Sequence, residues 1–265
     1  KTVPQLLQRI PERFLERLAF LIISIWLGSP LLILAQHFFT NPAHPDPNGY
    51  KTLIMLNWVQ FLNVLGNLGL ILTVTTAAKI ACKNQVDGDN WRNYLTTHLF
   101  PSMFFALFIW SFFASIFSKY SYSVWQGSLY RQEGFTTLIA YAGLLGSSSI
   151  IKNQKYLFKA TFLFILTAVP VAGHYLFDMG SVGPIYATGI FYNLNHTAYY
   201  LLLSLFAAIS LYLADDHSGN KSRILLPVIT ILSFALIYNN SLGPYLAALC
   251  GLALLFLGCH LKPTK

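Results

Sequence analysis

The chain has 265 residues, of which 55% are hydrophobic and only 10% are charged. Soluble domains carry about 25% charged residues, so this composition excludes a chain that covers a water-facing surface of its own. The net charge of +8 does not indicate nucleic-acid binding, because the basic residues lie at the ends of apolar runs and form no basic stripe with interleaved aromatics.

Long apolar runs recur along the chain and predict transmembrane helices. The run from Leu18 to Phe39 contains no ionisable residue except His37, and as a helix it would span ~30 Å, the thickness of bilayer hydrocarbon. We therefore predict an all-α, polytopic membrane protein with about eight transmembrane helices in a single domain over residues 1–265. In chain order the predicted spans are Leu18–Phe39, Leu53–Ala78, Leu99–Phe117, Phe135–Ile151, Tyr156–Phe177, Thr197–Ala214, Ile224–Tyr238 and Pro244–Leu261.

The basic residues separate onto alternate loops between these runs. All lysines and arginines except Lys51, Lys119 and Arg131 fall on the N-terminal arm, on every second loop and on the C-terminal tail. The positive-inside rule then predicts that both termini are cytoplasmic and that the opposite face points outward. The arm, residues 1–17, mixes apolar side chains with arginines and is expected to lie along the inner membrane surface as an amphipathic segment.

Arg131 is the only arginine on the predicted outer face, where positive charge runs against the insertion bias. A guanidinium presents a rigid fork of donors that suits phosphate oxygens, so Arg131 is a candidate anion-binding residue. The competing interpretations are an ion pair with Glu133 and an arginine that snorkels at the membrane boundary.

A second polar group precedes the sixth predicted span. Asn195 is expected to cap this helix and to leave the N–H groups of its first turn open to an anion. Asn193 and His196 would add side-chain donors beside it, whereas the competing interpretation is plain capping with an interfacial histidine. Ser241 makes a similar start for the last predicted span.

No metal or cofactor site is predicted. His174 and Asp178 are four residues apart, so they share one helix face and are expected to pair, but a metal site needs more ligands. The three cysteines do not form a disulfide framework. The sequence also contains no Walker loop, HExxH or GxSxG motif.

Three outer segments resemble the O-antigen ligase and O-antigen polymerase-like family of bacterial membrane glycosyltransferases. The segment Tyr130–Phe135 is similar to the family's R-x-x-G entry to a span, in a version most like those of Gram-positive bacteria. Gly189–His196 is similar to its G-x-F-x-N-x-N motif, and Asn240–Gly243 sits where the family reads Ser-Arg-Gly. The resemblance covers about the latter half of the chain, and the motif-bearing part is 121–261.

The resemblance implies a metal-independent, inverting glycosyltransferase without a cofactor. Such a protein takes a glycan from undecaprenyl diphosphate at the outer leaflet and transfers it to an acceptor lipid or glycan in cell-envelope polysaccharide synthesis. Arg131 would neutralise the diphosphate leaving group, whose charge develops in the transition state. The catalytic candidates are Arg131 and His196, and the substrate-binding candidates are Arg131, Glu133, Asn193, Asn195, Asn240 and Ser241.

Two features depart from the family pattern. Leu242 stands where the family has an arginine, which removes one expected phosphate-binding cation. The family's large outer loop, with a histidine that resembles the general base, does not occur before Lys265, so a fragment or shortened member is expected. His196 is the candidate substitute for that base.

Two other function classes stay open. One is a transporter or flippase for a polar lipid or solute, although span centres almost free of charge disfavour coupling to protons or sodium. The other is a non-catalytic assembly subunit of the cell envelope.

Overall fold

A computed structural model describes residues 7–39, 47–87, 99–127, 134–183, 189–191, 193–214, 220–239 and 241–260. Within these ranges the regular structure is helical and contains no strand, which confirms the all-α prediction. The helices are α1 (Glu12–Phe39), α2 (Pro47–Asp87), α3 (Leu99–Ile116), α4 (Ser121–Gln126), α5 (Phe135–Ile150), α6 (Gln154–Val182), α7 (Leu194–Ala214), α8 (Asn220–Ile237) and α9 (Leu242–His260).

Four of these helices contain stretches long and apolar enough to cross a membrane. The stretches are Glu12–Gln36 in α1, Trp58–Cys82 in α2, Gln154–Ser181 in α6 and Leu194–Ala214 in α7. Shorter apolar stretches occur in α3, α5, α8 and α9. Each predicted span overlaps one helix, because run length and hydropathy mark an apolar helix directly. The short helix α4 was not predicted.

The chain divides into two compact units, which are described separately below. Unit 1 comprises residues 1–26 and 44–157, and unit 2 comprises residues 27–43 and 158–265.

In unit 1, α2 and α5 pack with their backbones in direct contact. A Cβ added to Gly69 of α2 would lie 2.7 Å from the carbonyl oxygen of Gly143 and 2.7 Å from the Ser147 hydroxyl, both on α5. A Cβ on Gly66 or on Gly143 would also meet backbone atoms of the facing helix. Small residues allow such close approach, which membrane helices use where lipid removes the hydrophobic drive for association.

One end of unit 1 joins three segments that the charge pattern assigns to the cytoplasmic face. The Glu16 carboxylate on α1 accepts hydrogen bonds from the backbone N–H groups of Lys152 (2.8 Å) and Asn153 (2.5 Å), just before α6. The Lys79 ammonium in α2 donates to the Ile10 carbonyl oxygen at 2.5 Å. Residues of the arm, of α2 and of the chain just before α6 therefore lie together.

The core of unit 2 is built from one face each of α6, α7 and α8. The α7 face repeats at three- and four-residue intervals, the period of an amphipathic helix. A polar contact crosses this core, where the hydroxyls of Thr167 and Tyr200 lie 2.9 Å apart. The buried core residues include Ile165, Ala168, Ala172, Tyr175, Ala198, Leu201, Leu205, Leu232 and Ala235.

Candidate functional site

Arg131 and Glu133 lie outside the described residues, but the residues on both sides of them are described. Gly127 has a left-handed backbone with φ 85°, and Gly134 caps α5. A Cβ on Gly134 would collide with the backbone nitrogen of Gly127 and the carbonyl group of Trp125. The two glycines that bracket residues 128–133 therefore lie against each other, and only a residue without a side chain fits at Gly134.

An aromatic cluster supports this glycine pair. The Trp125 ring meets the Phe135 ring edge to face, with centroids 5.2 Å apart and planes at 84°. Phe112 of α3 contacts both rings, and the Thr136 hydroxyl donates to the Trp125 carbonyl oxygen at 3.0 Å. The start and end of the Arg131 segment are thus fixed on α3, α4 and α5.

In unit 2, the start of α7 is capped by Asn193 and not by Asn195. The Asn193 side-chain oxygen accepts from the backbone N–H groups of Asn195 (2.9 Å) and His196 (3.3 Å), and its carbonyl oxygen accepts from Thr197 (3.0 Å). The expectation that these N–H groups stay open to an anion is therefore wrong, because the cap occupies them. The side chains of Asn195 and His196 are exposed.

The Gly189 turn packs against the same end of unit 2. Gly189 adopts φ 64°, which favours glycine. A Cβ there would lie 3.0 Å from the Thr197 hydroxyl and 3.5 Å from the Tyr175 ring, so the turn rests on α6 and α7. The next residue, Ile190, is buried.

Asn239, at the end of α8, joins this group and was not predicted from the sequence. It is fully buried, its side-chain nitrogen donates to the Leu194 carbonyl oxygen at 3.3 Å, and its amide interacts with the Tyr175 hydroxyl. Tyr175 also donates to the Tyr238 carbonyl oxygen at 3.4 Å. An asparagine at the end of an apolar run is the available sequence signal, but the family motif begins at its neighbour Asn240, which lies outside the described residues.

Ser241 is the residue immediately before α9 and is only 5% exposed. Its hydroxyl oxygen and the side-chain oxygen of Asn239 are both buried without a hydrogen-bond partner among the described residues. Buried polar atoms are nearly always paired in native proteins, so these two oxygens at the turn between α8 and α9 need an explanation.

The predicted pairing of His174 with Asp178 is confirmed. The His174 Nδ1 atom lies 3.5 Å from a carboxylate oxygen of Asp178 on the same face of α6. Among the described residues, no three His, Cys, Asp or Glu side chains come together as a metal site would require.

The structure thus brings the Gly189–His196 segment together with Asn239, the residue that precedes the Asn240–Gly243 segment, in unit 2. Asn193 caps α7, Asn239 binds the first residue of that helix, and Gly189 packs beside it. Comparison with protein-family models, with curated proteins and with solved structures found no match to this chain.

Proposed function

We propose that this chain is a membrane protein of the O-antigen ligase and polymerase-like type, which binds an undecaprenyl-diphosphate-linked glycan at the outer leaflet. It transfers the glycan to an acceptor lipid or glycan during synthesis of cell-envelope polysaccharide. The membrane part of this proposal is supported by four long apolar helices and by the separation of basic residues onto alternate loops.

The observation that carries the proposal is the contact between the Gly189–His196 segment and Asn239, the residue that precedes the Asn240–Gly243 segment. The Asn239 amide donates to the Leu194 carbonyl oxygen across a separation of 45 residues. Both the Gly189–His196 and the Asn240–Gly243 segments resemble motifs of one family. Residues that share a binding site must lie together, and the packing of α7 on α8 places these two helix ends side by side.

In this proposal Arg131 binds the diphosphate. Its guanidinium would make two parallel hydrogen bonds to phosphate oxygens and would stabilise the charge that develops on the leaving group. The segment that carries it begins and ends at the Gly127–Gly134 contact, which the aromatic cluster supports. Glu133 would hold the guanidinium or contact the glycan.

His196 is the proposed general base. Its side chain is exposed in the first turn of α7, so an acceptor hydroxyl can reach it, while its backbone N–H is held by Asn193. A base at this position would remove the proton of the attacking hydroxyl as the new glycosidic bond forms. Asn195 is exposed beside it and would orient the acceptor.

The test is binding of undecaprenyl-diphosphate-sugar to the purified chain in nanodiscs. Arg131→Ala should weaken binding ~10- to 150-fold, since a hydrogen bond to a charged group contributes about 1.5–3 kcal/mol. Arg131→Lys should also bind more weakly, because an ammonium lacks the planar fork. Lys119→Ala is the control, which removes an exposed cation of the predicted outer face and should change affinity less than about 2-fold.

Equal affinity in wild type and Arg131→Ala would remove the diphosphate role of Arg131. Absence of binding by the wild-type chain would reject the proposed function and favour transport or envelope assembly.

A further inference from the structure

We propose that Asn239 and Ser241 form a subsite for a hydroxyl group of a carbohydrate, with the side-chain oxygen of Asn239 as the acceptor. The identity of the carbohydrate as the glycan of a lipid diphosphate rests on the proposed function. The subsite itself rests on the two buried, unpartnered oxygens at the turn between α8 and α9.

These oxygens call for a partner that the described protein residues do not supply. Asn239 is 0% exposed and Ser241 is 5% exposed, so bulk water does not solvate their side chains. An unpaired buried acceptor is costly, and proteins retain such groups mainly where a water molecule or a ligand completes the hydrogen bond.

The side-chain oxygen of Asn239 can only accept hydrogen bonds, which limits the kind of ligand that can bind it. Asn239 uses its side-chain nitrogen toward the Leu194 carbonyl oxygen, which leaves the amide oxygen, an acceptor only. An ionised phosphate or carboxylate also offers only acceptors and cannot satisfy it. A hydroxyl, by contrast, can donate to the Asn239 oxygen, and it is also a suitable partner for the Ser241 hydroxyl.

The start of α9 removes one of the two usual partners of the Ser241 hydroxyl. A serine before a helix usually accepts from the backbone N–H two or three residues later. Here the third residue is Pro244, which has no N–H, while the Tyr245 N–H donates to the Ser241 carbonyl oxygen at 3.4 Å. The serine therefore caps the helix through its backbone and keeps its hydroxyl available.

The surroundings also favour a neutral ligand. The sequence has no lysine or arginine between residues 160 and 220, or from residue 224 to residue 261, so α7 and α9 contain none. Half-exposed tyrosines flank the turn instead, with Tyr199 at 44% and Tyr238 at 46% exposure. The Tyr199 hydroxyl lies beside Gly243, since a Cβ there would be 2.9 Å from it. Tyrosine rings offer flat, amphipathic faces that suit a sugar ring.

The experiment compares two probes in nanodiscs, undecaprenyl diphosphate and undecaprenyl-diphosphate-sugar. Wild type should bind the sugar-bearing lipid more tightly. Ser241→Ala should lower affinity for that lipid ~3- to 10-fold, the loss expected for one neutral hydrogen bond, and leave affinity for the sugar-free lipid unchanged. Its melting temperature should not fall, because the hydroxyl has no described protein partner to lose. Ser149→Ala, which removes an exposed hydroxyl of α5, is the control and should bind both lipids as wild type does.

Asn239→Ala also removes the hydrogen bond to Leu194 and can therefore lower the folded fraction. The informative quantity for this variant is the ratio of its affinities for the sugar-bearing and the sugar-free lipid, because this ratio does not depend on the folded fraction. The ratio should fall as in Ser241→Ala. The subsite would be overturned by an unchanged ratio in both variants or by equal binding of both lipids by wild type. A clear fall in the melting temperature of Ser241→Ala would also overturn it. If Arg131→Ala weakens binding of both lipids while the affinity ratio of Ser241→Ala and Asn239→Ala equals that of wild type, only the subsite fails. If wild type binds neither lipid, the proposed function and the subsite both fail.

Discussion

The contact between α2 and α5 makes Gly69→Ala the most informative stability variant. The new Cβ would lie 2.7 Å from the Gly143 carbonyl oxygen and 2.9 Å from its carbon atom, which are backbone atoms that cannot rotate away. Carbon-to-oxygen contacts between packed backbones are about 3.3–3.6 Å, so the helices must separate by ~0.6 Å or more. A gap of that size forfeits about a quarter to a half of the local dispersion energy.

These terms set the expected free energy of unfolding. Overpacking of this kind costs about 2–3 kcal/mol, and replacing a helical glycine by alanine returns about 1 kcal/mol through backbone entropy. Gly69→Ala should therefore be less stable than wild type by about 1–2 kcal/mol. Gly173→Ala in α6 is the matched control, since a Cβ there has nothing within 4 Å, and it should gain up to about 1 kcal/mol.

The assay is reversible unfolding of the purified chain in mixed micelles by added denaturing detergent. The difference between the two alanine variants, about 2–3 kcal/mol, isolates the steric cost because both share the propensity gain. If Gly69→Ala proved as stable as Gly173→Ala, the close approach of α2 and α5 would be refuted.

The remaining predictions concern the ends of helices and the orientation of the chain. Glu16→Ala removes the acceptor of the Lys152 amide, so hydrogen exchange at that amide should accelerate while the helix centres stay protected. Asn193→Ala should destabilise the start of α7 by about 1 kcal/mol and expose the His196 amide to exchange; unchanged protection there would argue against the cap. A cysteine in place of Lys119 should react with an impermeant thiol reagent added outside the cell, whereas one in place of Lys152 should not. The reverse labelling pattern would invert the proposed topology.

The sequence predicts the helices well because each apolar run is a one-dimensional property. Run length and hydropathy locate α1, α2, α6 and α7 without knowledge of any partner. The pairing of His174 with Asp178 was also predictable from the sequence, since a spacing of four residues places both on one helix face.

Contacts between segments were not predictable in this way. Gly69 and Gly143 are unremarkable until α2 and α5 are known to face each other. The choice between Asn193 and Asn195 as the cap depends on which residue first adopts helical geometry, and helix ends are the least certain part of any prediction from sequence. Asn239 was missed because its importance lies in a bond to a residue 45 positions away.

The contact between Gly127 and Gly134 has a consequence for how this protein can diverge. Since Gly127 and Gly134 already lie against each other, the number of residues between them is not set by the packing of α3, α4 and α5. Lengthening a loop whose ends are already held together costs little, because closure entropy grows only with the logarithm of loop length. Insertions between Gly127 and Gly134 should therefore be tolerated while α3, α4 and α5 keep the same packing.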